Sequence, residues 1–175
     1  MNTGQSMLTI VAMILLSTVI LTVNRGFLTT DTTMNENRID ILGVSLANSI
    51  IEDATSLSFD ESTVSASLTN TNSLTAPTAL GIETGESASN PKSFDDFDDY
   101  NCYRNSPKLD TINVPGSKAL ILFRTYCRVD YVSQNNPDNI STTKTFHKKL
   151  SIKLFSPGMT DTIKLSTIYS YWYLE

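Results

Sequence analysis

The stretch from Met7 to Val23, MLTIVAMILLSTVILTV, carries no charge, no proline and no glycine. It is about the minimum length for an α-helix that crosses the hydrocarbon of a bilayer. Thr9, Ser17, Thr18 and Thr22 fit such a helix, because their hydroxyls can bond the backbone carbonyl one turn back. Asn24 and Arg25 end the run. A cleaved secretory signal would carry Lys or Arg before the apolar core and a small-x-small site after it. Here MNTGQS has no basic residue and VNRGF is no such site. A retained membrane helix is therefore expected ahead of a cleaved signal or a buried core helix. The flanking charges, the amino terminus on one side and Arg25 with Asp31 on the other, barely set an orientation. Two cysteines and a polar, Ser/Thr/Asn-rich remainder favour an extracytoplasmic C-terminal part.

Beyond a polar hinge, RGFLTTDTTMNEN, apolar residues recur at Ile39, Leu42, Leu46, Ile50, Ala54 and Leu57. Steps of three or four put them on one face, which predicts an amphipathic helix over roughly residues 31–57, packed on a globular part. Gly26 weakens its junction with the apolar helix by about 1 kcal/mol relative to alanine. Residues 62–91 are rich in Ser, Thr, Asn and Ala, include Pro77 and Pro91, and hold at most one or two short strands around TVSASLT. From Gly116 the period becomes two. SKALILFRTYCRVDYVS puts Ala119, Ile121, Phe123, Thr125, Cys127 and Val129 on one face, opposite Arg124, Arg128 and Asp130. TKTFHKKLSIKLF sets Leu150, Ile152 and Leu154 opposite Lys149, Ser151 and Lys153, and TIKLSTIYSYWYL sets Ile163 and Leu165 opposite Lys164 and Ser166. Short connections make such strands antiparallel neighbours, so a three-strand meander is expected, with the amphipathic helix covering its apolar face.

A chain of 175 residues has room for one globular domain and an accessory segment. The expected class is α+β, a long N-terminal helix packed on a C-terminal antiparallel sheet. The expected divisions are a leader at 1–4, an apolar helix at 5–25, an amphipathic helix at 26–58 and a disulfide-closed β-rich domain at 59–175.

The net charge of -5 argues against a nucleic-acid binder, which needs clustered Lys and Arg. The pair Lys148-Lys149 reads as a solvated strand face. The single histidine, His147, has no nucleophile motif near it, and there is no Gly-rich phosphate loop, so no enzyme is expected. Cys102 and Cys127 lack redox or zinc spacing; a disulfide between them would close a loop of roughly 26 residues and stabilise by about 3.5 kcal/mol. The stretch SFDDFDDYNCY crowds Asp95, Asp96, Asp98 and Asp99 together without EF-hand spacing. Two readings are open. In one, Phe94, Phe97 and Tyr100 anchor a turn whose aspartates face water or pair with Arg104, Lys92 or Arg128. In the other, the four carboxylates bind Ca²⁺, the one cofactor the sequence leaves room for.

A short polar leader ending in glycine, an apolar helix running into an amphipathic one, a Ser/Thr-rich middle and a C-terminal antiparallel sheet together resemble the type IV pilin and pseudopilin family along the whole chain. FDDFDDYN at Phe94–Asn101 is similar to the FDDVDDY-type motif of certain minor pilin-like proteins, and the ending KKLSIKLFSPGMTDTIKLSTIYSYW looks like theirs. The resemblance implies that a prepilin peptidase cuts after Gly4, leaving Gln5 as the first residue, and that N-terminal helices stack into a filament core. Asn2 and Thr3 stand where the family usually has Lys or Arg, and Thr9 stands where it has an assembly glutamate. The expected function is a structural subunit of an extracellular type IV pilus-like filament. Such a subunit is a homo-oligomer through its N-terminal helices, resides in the bacterial inner membrane before assembly and at the cell surface after it, and works with the pilus assembly machinery. The rival is a single-pass anchored extracytoplasmic binding module that does not polymerise.

Overall fold

A computed structural model describes residues 3–113 and 120–172. The leader residues Met1 and Asn2, the expected strand start at Gly116–Ala119 and the last three residues lie outside that set. The elements run α1 (Thr3–Ser56), α2 (Glu61–Val64), β1 (Lys108–Asn113), β2 (Leu120–Tyr131), β3 (His147–Phe155) and β4 (Ile163–Ser170), with a 3-10 helix at Asp98–Tyr103 between α2 and β1. The chain divides into two compact units, Met1–Ile39 and Asp40–Glu175. That division falls inside α1.

In the first unit the polar hinge is absent, because α1 is helical throughout 24–37. Threonine hydroxyls support it there: Thr29, Thr30 and Thr33 each donate to the carbonyl four residues back. Within the apolar run Thr9, Ser17 and Thr22 do the same and Thr18 donates to the carbonyl three residues back, as their positions predict. This is the one helix among the described residues long and apolar enough to cross a membrane, and none of its most apolar window is buried within the chain.

The second unit is α+β. From Asp40 onward α1 packs on a four-stranded antiparallel sheet of order β1-β2-β3-β4, every strand beside its neighbour in sequence. The predicted amphipathic stripe is real but narrower, since residues 31–38 are all exposed. Its centre is Gly43, Ala47, Ile50 and Ala54, while Leu42 and Leu46 lie at the margin. Small residues let the helix approach the sheet closely. A Cβ on Gly43 would come within 2.8 Å of Ile163 and 3.0 Å of Leu154.

The inward row of β2 is Phe123, Thr125, Cys127, Val129 and Tyr131, and that of β3 is Lys148, Leu150, Ile152 and Leu154. The faces assigned from alternation are therefore correct from Phe123 on. Full burial of a Leu or Ile side chain contributes roughly 1.5–3 kcal/mol, so Leu150, Ile152 and Leu154 alone form a substantial core. Two expectations fail locally. The stretch around TVSASLT forms no strand; its first two residues end the helical turn α2, which Asp60 caps in a reciprocal box with Thr63. The sheet also gains β1, too short and too poor in branched residues to be read from periodicity, paired to β2 from Lys108↔Thr125 to Asn113↔Leu120.

Candidate functional site

The row that ends the inward face of the sheet consists of Tyr131, Lys148 and Tyr169, adjacent across β2, β3 and β4. Lys148 is wholly buried, which corrects the reading of Lys148-Lys149 as a solvated face; only Lys149 faces outward, where it pairs with Asp138 at 2.8 Å. A buried ammonium needs partners on all its protons. Lys148 Nζ donates to the Phe59 carbonyl and to Asp60 Oδ2, both at 2.8 Å, and to Asp98 Oδ1. The Phe59 ring lies 4.6 Å and the Tyr131 ring 5.3 Å from the same nitrogen. Asp60 also accepts from the Thr75 backbone N–H and hydroxyl and from Tyr131 Oη, each at 3.1 Å. Burial pushes the Asp60 carboxyl up, but Lys148 and these donors hold it below its ordinary value. For Asp98 the burial outweighs the pull of Lys148, and its pKa is raised.

Asp98 is the first residue of the 3-10 helix, and the segment before it is organised by two neighbouring aspartates. Asp96 Oδ1 accepts from the backbone N–H groups of Asp98 (2.8 Å) and Asp99 (3.2 Å). Asp99 Oδ2 accepts from those of Asp95 and Asp96, both at 3.1 Å. The chain leaving α1 holds this segment through an isolated parallel bridge between Ser58 and Asp96. Phe94, Phe97 and Tyr100 are buried as the expected anchors. The aspartates do not behave as a solvated turn would require. Asp96, Asp98 and Asp99 are 0% exposed, and only Asp95 faces water. The ionic partner of this segment is Lys148 rather than Arg104, Lys92 or Arg128, the last of which pairs with Asp130.

A second loop meets the aspartates. Glu83 to Glu86 forms a tight turn in which the Glu86 N–H donates to the Glu83 carbonyl (3.3 Å) and Glu86 Oε2 accepts from the Glu83 N–H (2.9 Å). Gly85 has φ +112°, a conformation that favours glycine. The turn brings both glutamates to the buried aspartates. Carboxylate oxygens of Glu83, Glu86 and Asp99 lie within 4.8 Å of one another, and so do those of Glu61, Glu83 and Asp96. Of the four aspartates singled out from the sequence, Asp96 and Asp99 thus belong to the cluster, whereas Asp98 turns to Lys148 and Asp95 lies outside it. Glu61, Glu83 and Glu86 escaped sequence reasoning. The signal available for the turn was the pair of glycines, Gly81 and Gly85, that bracket Glu83.

These carboxyls are poorly compensated. Asp96 and Asp99 each spend one oxygen on the backbone, leaving Asp96 Oδ2 and Asp99 Oδ1 buried with no hydrogen-bond partner, as are Glu83 Oε2 and Glu86 Oε1. No Lys or Arg forms an ion pair with Glu61, Glu83, Glu86, Asp96 or Asp99 among the described residues. Burial and the neighbouring acids push Asp96 to about 9, Glu83 to about 8 and Asp99 to about 7.

The expected disulfide is not formed. Cys102, on the 3-10 helix, and Cys127, on β2, are free thiols, both raised to about 12 by burial above all. Beside Cys102, Asn101 ties the 3-10 helix to β2: its Oδ1 accepts from the Val129 N–H at 3.1 Å, and its Nδ2 donates to the Leu80 carbonyl at 2.8 Å. His147 Nδ1 lies 2.8 Å from Ser170 Oγ, its cross-strand neighbour. No family model matches this chain, and neither does any curated protein or solved structure.

Proposed function

We propose that this chain is a structural subunit of an extracellular type IV pilus-like filament, anchored by the apolar part of α1 before assembly and polymerising through it afterwards. One observation carries the reading. The apolar window of α1 is entirely unburied within its own chain, whereas the turns of the same helix from Asp40 onward are covered by the sheet. So much apolar surface needs cover from outside the chain, lipid before assembly and neighbouring copies of the same helix after it. The polar leader up to Gly4, with Gln5 as the new amino terminus, fits processing by a prepilin peptidase ahead of the assembly machinery. A bacterial inner-membrane precursor and a cell-surface product follow from this.

The rival reading, an anchored extracytoplasmic binding module, draws support from the uncompensated acidic cluster. Shearing cells that express the full chain separates the two. A filament subunit leaves the cells and pellets as fibres visible by electron microscopy, with a mass beginning at Gln5. Recovery of the chain wholly in the membrane fraction, with no fibres, would overturn the filament reading and leave the anchored module.

A further inference from the structure

We infer that Glu83, Glu86, Asp96 and Asp99, with Glu61 at the margin, form a binding site for one Ca²⁺ ion. Every donor in the cluster is a carboxylate oxygen, the ligand type that Ca²⁺ takes six to eight of at about 2.3–2.6 Å. Two oxygens on one such ion are no more than about 5 Å apart, and both carboxylate triads fall within 4.8 Å. Both triads include Glu83, whose two oxygens can join them around one ion. The unpartnered oxygens on wholly buried side chains, Asp96 Oδ2 and Asp99 Oδ1, point to a ligand. Without a cation, ionising these four crowded carboxyls side by side is costly. The other oxygen of each aspartate is held by backbone N–H groups, so the free ones are pre-positioned.

Among the described residues no Lys or Arg forms an ion pair with the cluster. Lys148 is the buried ammonium nearby, and its protons go to Phe59, Asp60 and Asp98. The remaining charged neighbours, Asp95 and Asp98, add negative potential. A site of five carboxylates suits the six to eight oxygen ligands of Ca²⁺ better than Mg²⁺, which keeps several waters and takes one or two carboxylates. Bound Ca²⁺ would join three segments distant in sequence: the start of α2, the Glu83–Glu86 turn and the Asp96–Asp99 segment. Through Asp98 and Lys148 it would tie them to β3. The inference does not depend on polymerisation.

The test uses the full chain in detergent, stripped of metal. Equilibrium dialysis against ⁴⁵Ca²⁺ is expected to give one ion per chain. Millimolar Ca²⁺ is expected to raise Tm by about 5 °C over chelator, because an ion bound to the native state stabilises it by mass action. Equal stabilisation by Mg²⁺ would overturn the assignment to Ca²⁺. Glu83→Gln and Glu86→Gln, both in the half-exposed turn, should each weaken Ca²⁺ binding at least about tenfold without lowering Tm in chelator, since neither acid has a Lys or Arg ion-pair partner to lose among the described residues. Asp138→Asn, remote from the cluster, should bind like the parent chain. No bound ⁴⁵Ca²⁺ and coincident melting curves would overturn the site, as would unchanged affinity in both glutamine variants.

Discussion

Lys148 links two acids that would otherwise be buried without a cation, and its removal tests how much the fold depends on that link. Breaking a buried ion pair by deleting one partner costs about 3–5 kcal/mol, because the remaining charges stay out of water. Lys148→Met is expected to lose stability of that order in urea unfolding, while Lys149→Met, whose Asp138 partner is exposed, should change it by less than about 1 kcal/mol. The clustered acids predict a pH dependence of their own. Asp96, Glu83 and Asp99 have folded values of about 9, 8 and 7, well above those of unfolded carboxyls. The folded chain therefore holds more protons than the unfolded one, and its stability declines as pH rises through that range. Asp60, lowered instead, contributes stability that is lost only in acid, outside this window. In chelator, Tm should fall steadily from pH 6 to pH 9. A flat profile over that interval would contradict the uncompensated state of the cluster.

Among the elements, α1 is one helix with two environments. Its first part is covered by nothing in the chain; from Asp40 onward it presents a face of small residues to the sheet. Gly43 is where the fit is tightest, with Ile163 and Leu154 side chains against the helix and Phe123 at 3.4 Å from the position of a Cβ. A large side chain there forces helix and sheet apart. Gly43→Leu is expected to cost about 1–3 kcal/mol by overpacking, read as a lower urea midpoint. The inward row of β3 combines part of the apolar core with the ammonium that anchors the acidic segment.

For the whole molecule, the expectation concerns how apolar surface is covered. Removing residues 1–25 takes away the apolar run and leaves the Asp40–Glu175 unit intact. The truncated chain is expected to be a soluble monomer by light scattering, free of membranes and unable to form fibres. Fibres from that truncated chain would mean that some other surface polymerises it, and the proposed role of α1 would fall.

Local pattern alone determined much of this protein. An uninterrupted apolar run can satisfy its backbone only as a helix in lipid or among other helices, and alternation in β2, β3 and β4 assigned each side chain a face, because both signals lie within a few residues of one another. The same alternation, carried two residues back from Leu150, already put Lys148 inward. What the local pattern could not supply was the reason a lysine tolerates that place, since Asp60 and Asp98 arrive from segments about 90 and 50 residues away. For the same reason the aspartate-rich segment read as a turn in water. Its burial, and its meeting with Glu83 and Glu86, depend on the chain leaving α1 beside Asp96 and on the Gly85 turn folding across it, contacts between segments that are not neighbours in sequence.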